Sequence, residues 1–160
     1  MQDRSRARLA AFSLLTLPLL IANAAAEPAA VPAGRGGVDV TIAVSDLRNV
    51  HGRVMACMTA DPQRFPRCRD DAASYRVTVP ADQAGTIRIH GVRPGTYAIA
   101  LLHDENSNGK ADRALSMIPK EGFGFSRDAK VHMGPPAFGE ASFRVGDTAQ
   151  RQAIRMRYML

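Results

Sequence analysis

The sequence predicts an all-β protein, an antiparallel β-sandwich of about seven strands with one long irregular loop. Three observations carry this expectation. Apolar and polar residues alternate with a period of two in one segment after another. Gly36-Gly37, Asp61-Pro62, Pro94-Gly95 and Gly146-Asp147 separate those segments with residues that favour turns. No segment sustains a helical stripe.

The elements follow in order. Val38, Val40, Ile42 and Val44 share one face, with Asp39, Thr41 and Ser45 opposite. A turn at Asn49 leads into a second strand over His51 to Thr59. Tyr75, Val77 and Val79 alternate with Arg76 and Thr78, and Ile87 and Ile89 with Arg88 and His90. Tyr97 to Leu102 is almost wholly apolar and reads as a central strand. Pro94-Gly95 before it suits a type II turn with Gly95 at positive φ, and Tyr97 is placed either as a corner tyrosine or as a plain core residue. Ala141 to Val145 and Ala153 to Tyr158 complete the set, the latter with Ile154, Met156 and Tyr158 facing away from Arg155 and Arg157. Between Leu102 and Ala141, His103 to Phe138 runs for about 35 residues without a strand pattern, and a segment of that length in a compact domain is usually functional. A short helical turn is expected near Ala111–Met117 or near Asp70–Ala73.

The ends of the chain bear on compartment. Arg4, Arg6 and Arg8 precede an apolar stretch from Leu9 to Ala22, and Ala22-Asn23-Ala24 and Ala24-Ala25-Ala26 are small-x-small cleavage sites. Residues 1–26 therefore read as a signal peptide, 27–37 as a flexible Pro- and Gly-rich linker and 38–160 as the sandwich domain. The alternative is an uncleaved N-terminal anchor. Export, periplasmic or extracellular, is the expectation, with no transmembrane segment left after signal cleavage. Losing Arg4, Arg6, Arg8 and Asp3 lowers the formal charge from +6 to +4. The remaining arginines are spread out, which argues against a nucleic-acid partner and leaves weak attraction to anionic lipid or polysaccharide open. Cys57 and Cys68 are the two cysteines. In an oxidising compartment they are expected to pair, closing a short loop worth about 2–3 kcal/mol; two unpaired thiols are the rival reading.

The richest chemistry lies at His103-Asp104-Glu105-Asn106-Ser107-Asn108-Gly109-Lys110-Ala111-Asp112. Asp104, Asn106, Asn108 and Asp112 fall at positions 1, 3, 5 and 9 of a calcium loop, Gly109 at position 6, and the Lys110 carbonyl at position 7. Position 12 is Leu115, so the bidentate glutamate of a full calcium loop is missing, and Glu121 replaces it only if the chain folds back. A calcium site so built is weak, about 10⁻⁴–10⁻³ M. The competing reading is a metal-free turn in which Asn and Asp oxygens bond their own backbone. The four histidines, His51, His90, His103 and His132, lack zinc spacing. His103 is a candidate to orient Asp104.

The loop, followed by Pro119-Lys120-Glu121-Gly122-Phe123-Gly124-Phe125-Ser126 and Gly134-Pro135-Pro136-Ala137-Phe138, resembles the bacterial domain of unknown function 2141 family over about residues 38–145. The resemblance implies an exported protein with an immunoglobulin-like or transthyretin-like sandwich and no established activity. The Pro-Gly-x-Tyr opening of the strand at Tyr97 is also similar to transthyretin-like accessory domains of carboxypeptidases and adhesins, some of which carry an Asp-x-Asn-x-Asn-Gly calcium loop. The cysteine pair and the arginine-rich last strand lie outside the family pattern.

Nucleophile elbows, phosphate loops and zinc-protease motifs are absent from the sequence. The functional expectation is thus a non-enzymatic exported binding or accessory module with an unidentified envelope or extracellular partner, its 104–112 loop open to calcium. One alternative is a metal-free structural envelope protein. Another is a hydrolase acting on glycosides through Asp104, Glu105 or Glu121. Phe123 and Phe125 either offer rings to a sugar or peptide, or plug the end of the sandwich.

Overall fold

The first five strands form where alternation places them, the last shifts from the expected Ala153 to Tyr158 to Gln150–Arg155, and three more form inside the segment from His103 to Phe138. The computed structural model describes residues 37–68, 71–114 and 118–160; the expected signal peptide and residues 27–36 of the linker lie outside these. In chain order come β1 (Val38–Ser45), β2 (Arg53–Thr59), β3 (Tyr75–Pro80), β4 (Thr86–Val92) and β5 (Gly95–Asp104). Then follow the two-residue strands β6 (Arg113–Ala114) and β7 (Ile118–Pro119), and β8 (Gly122–Phe125), β9 (Phe143–Val145) and β10 (Gln150–Arg155). Among the described residues neither place is helical: Ala72 and Ala73 lie in a simple turn, and Arg113 and Ala114 pair with Pro119 and Ile118 as strands; residues 70 and 115–117 of the two expected turns lie outside the description. The helical pieces are instead 3₁₀ turns at Ala81–Gln83 and Ser126–Asp128 and one α-turn, α1, at Phe138–Ala141.

One sheet has the order β10-β1-β4, the other β3-β2-β5-β8, with β9 pairing the first residues of β5. Val40, Ile42, Ile87, Ile89 and Ile154 from the first meet Val54, Ala56, Met58, Ile99 and Leu101 from the second in one buried cluster. This is the all-β sandwich the alternation predicts, with one departure from pure antiparallel pairing: β10 runs parallel to β1, Val44 opposite Ile154. The chain reaches β10 from β9, which belongs to the other sheet, and a strand arriving from across the sandwich is not bound to the antiparallel sense that a hairpin enforces.

One expectation at this corner is corrected and one alternative is decided. Positive φ falls on Gly91 (67°) and not on Gly95. Gly91 lies in a bulge where Val38 pairs Val92 while Val40 pairs Ile89. Tyr97 takes the corner role: its hydroxyl donates to the Arg93 carbonyl at 3.0 Å, and its ring meets Tyr75 edge-on at 5.9 Å.

β8 was hidden in the supposed loop. Its Gly-Phe-Gly-Phe sequence alternates, but the inward positions carry no side chain. A Cβ on Gly122 would sit 2.3 Å from Tyr158 Cε1, and one on Gly124 would sit 2.7 Å from Ile154 Cγ2. Only glycine allows this approach. The phenylalanines face out, where Phe125 is buried with Ala98, Ala100, Ala129 and Ala141, with Phe65, Phe123, Val131 and Phe138 packed around them. They therefore cover the outer face of β5 and do not plug an end. Phe123 and Arg157 exchange both main-chain hydrogen bonds, at 3.0 and 2.8 Å. That bridge delivers Tyr158 to the loop end of the sandwich. Cys57 on β2 is disulfide-bonded to Cys68, their Cα atoms 6.0 Å apart.

Candidate functional site

The last residue of β5, Asp104, opens the loop, and its place in the strand explains its chemistry. It is fully buried. Arg53 lies directly opposite on β2, and its Nε donates to Asp104 Oδ2 at 3.0 Å. Oδ1 accepts the Asn108 N–H at 3.0 Å, and Oδ2 also accepts the Gly109 N–H at 2.8 Å. Gly109 stands at φ 76°, which lets the backbone curl over the carboxylate. Asn106 Oδ1 accepts from Asn108 N at 3.1 Å and Asn108 Oδ1 from Lys110 N at 2.8 Å, so both are Asx turns. Their amide nitrogens converge, each donating to Asp112 Oδ2 at 2.8 Å. Two amides thus meet at the Asp112 carboxylate, through their nitrogens and not their oxygens, while the Asp104 carboxylate stands apart, bonded to Arg53 and two backbone N–H groups.

The hairpin of β6 and β7 turns the chain back. Lys120 N donates to the Asp112 carbonyl at 3.0 Å, and Glu121 Oε2 accepts from Glu105 N at 3.0 Å. Glu121 is only 4% exposed. Burial pushes its carboxyl above the ordinary glutamate range, and the negative charges of Asp104, Glu105 and Asp112 push it further. Glu105 behaves in the opposite way. Arg48 forks onto it, Nε to Oε1 at 2.8 Å and Nη2 to Oε2, and Asn49 adds a bond at 2.6 Å. The Arg48 hydrogen bond is the main reason its carboxyl is held down to about 2. The Arg48 guanidinium also lies 4.5 Å over the Tyr158 ring, within cation–π range, and bonds the Leu160 carbonyl.

His103 does not orient Asp104; Arg53 does. The fully buried His103 ring places Nε2 2.8 Å from the His51 carbonyl and Nδ1 2.7 Å from the Tyr158 hydroxyl. A carbonyl only accepts, so Nε2 carries the proton and Nδ1 receives the tyrosine hydroxyl. Burial raises the Tyr158 phenol above its ordinary value. Arg48, Arg53 and Tyr158 were not legible as site residues, because no spacing rule links them to the loop.

Above this network lies an open cleft of about 500 Å³, lined by Glu105, Asp112 and Glu121, by Asn106, by Arg48 and Lys120, and by Leu160. Among the described residues no three His, Cys, Asp or Glu side chains are grouped closely enough to hold a metal ion as they stand. A cation here would have to use amide and carbonyl oxygens too. Calcium accepts such a set. For Asn106 and Asn108 to contribute, each amide must rotate, turning Oδ1 toward Asp112 and releasing a backbone N–H. Asp104 is already committed to Arg53 and two N–H groups, which leaves it beneath the site and out of reach of a substrate in the cleft.

Fold and site together define a small two-sheet β module with a hydrogen-bonded acidic loop and a charged cleft at one end. The family described as an uncharacterised protein conserved in bacteria (DUF2141) matches residues 42–153, and the chain belongs to it. No curated protein and no solved structure matches the chain. Among the described residues no helix is long and apolar enough to cross a membrane.

Proposed function

We propose that this chain is an exported, non-enzymatic binding module whose loop end takes a calcium ion weakly and presents the ordered loop to an envelope or extracellular partner. Asp112 and Glu121 supply the charge, Asn106, Asn108 and the Lys110 carbonyl the neutral oxygens, and Asp104 the negative field beneath. One observation carries the reading: Glu121 is held almost wholly out of water while the charges of Asp104, Glu105 and Asp112 act on it. A divalent cation relieves that repulsion directly. The rotation of two amides opposes binding, which keeps the affinity near the 10⁻⁴–10⁻³ M range of extracellular modules.

The metal-free reading has its own support, since the side-chain oxygens of Asp104, Asn106 and Asn108 already hold backbone N–H groups. A thermal melt decides between them. At about 10 mM calcium against chelator, a Kd in that range stabilises by about 1.4–2.7 kcal/mol. A melting point that does not move would leave the loop as architecture alone. The absence of enzymatic activity is supported by the pairing of Glu105 with Arg48 and of Asp104 with Arg53, which leaves neither carboxylate free for proton transfer.

A further inference from the structure

The outer face of the β10-β1-β4 sheet is polar, with arginines on the strands at either side of β1. Alternation turns Val40, Ile42 and Ile154 inward and leaves Asp39, Thr41, Ala43 and Ser45 along the middle strand facing out. Thr41 pairs with Arg88 of β4 on one side and Arg151 of β10 on the other. Adjacent strands lie about 4.8 Å apart, so the two arginines root about 10 Å apart across β1. Both are exposed, and neither has a hydrogen bond or ion pair among the described residues. Thr86 and His90 extend one wall, with His90 Nδ1 3.0 Å from the Asp39 carboxylate, and Arg155 the other, already paired with Asp128 and Asp46, so among the described residues of this face Arg88 and Arg151 are the two charges left unpaired.

We propose that this face docks an acidic polysaccharide, a linear polymer bearing carboxylates, laid along β1 between Arg88 and Arg151. Guanidinium forks match carboxylates in shape and charge. The hydroxyls of Thr41, Thr86 and Ser45 suit sugar hydroxyls. A membrane fits less well. The exposed large apolar side chains, Val50, Ile118, Met133, Met159 and Leu160, lie on other segments, so nothing on this face inserts into a bilayer. Three arginines also fall short of the basic clusters that hold anionic lipid. The inference is independent of the calcium reading.

The test measures binding of the chain to polygalacturonate at low salt, in chelator so that calcium plays no part. The expected result is binding that weakens about three- to tenfold in the double variant Arg88→Gln, Arg151→Gln, with an unchanged melting point. A control double variant, Lys130→Gln and Arg144→Gln, removes the same charge from exposed positions off this face and is expected to change affinity less than twofold. Equal losses in the two double variants would overturn the proposal, since net charge alone would then explain binding. So would failure of the unaltered chain to bind the polymer, or equal or tighter binding to phosphatidylglycerol vesicles.

Discussion

Replacing Glu121 by Gln separates the charge of this residue from its hydrogen bond. A glutamine oxygen can still accept the Glu105 N–H that Glu121 Oε2 holds at 3.0 Å, while the negative charge is gone. Glu121 binds its proton more tightly folded than unfolded, through burial first and then through its carboxylate neighbours. Its contribution to stability is therefore full below the unfolded glutamate value and is lost as pH rises through the folded one. At neutral pH without calcium the ionised side chain is a liability, and the variant should melt at the same temperature as the parent chain or higher. The difference should fade below about pH 4. With about 10 mM calcium the order reverses. The parent chain gains about 1.4–2.7 kcal/mol, about 4–10 °C for a domain of this size, and the variant less than half of that. Scanning calorimetry in chelator and in calcium, at several pH values, measures all of these. A variant less stable than its parent by more than about 1 kcal/mol in chelator at pH 7, or two chains shifted equally by calcium, would refute the reasoning.

Other substitutions probe the supports of the site. Arg48→Met removes the fork on Glu105 and the guanidinium over Tyr158; with the ion pair partly screened by solvent, the expected cost is about 1–2 kcal/mol at neutral pH in urea denaturation. Because Glu105 is held down to about 2, the stability it contributes is present above the ordinary glutamate range and is lost as pH falls toward that value; the variant's acid limb should be flatter there. Serine at both Cys57 and Cys68, 11 positions apart, should lower the unfolding free energy by about 3 kcal/mol, read from the denaturation midpoint. Tyr97→Phe leaves the Arg93 carbonyl without its 3.0 Å donor and should cost about 1 kcal/mol, read by thermal melt.

Local chemistry made much of this protein legible. Val38 to Val44, Tyr75 to Val79 and Ile87 to Ile89 alternate on a pleat, and each folds as the strand its alternation predicts. The loop was also readable, because Asx turns join residues only two apart, as Asn106 to Asn108 and Asn108 to Lys110. The β8 strand escaped because two of its four positions are glycine, which erases the apolar half of the alternation. The sense of β10 escaped as well, since a strand's residues do not record which neighbour it will join or in which direction.

The sequence by itself determined the all-β class, the places of the alternating strands up to Leu102, the family resemblance and the oxygen-rich turn, all of which rest on short-range periodicity or on spacing along the chain. Tertiary structure alone decided which charges meet. Arg53 reaches Asp104 across 51 residues, Arg48 reaches Glu105 across 57, and Tyr158 reaches His103 across 55. It also decided that Glu121 loses its water while Glu105 gains a partner. Those pairings, and the opposite protonation behaviour that follows from them, arise from strands brought side by side. The physical reason is that electrostatic energy depends on distance and burial in space, and neither is encoded by separation along the chain.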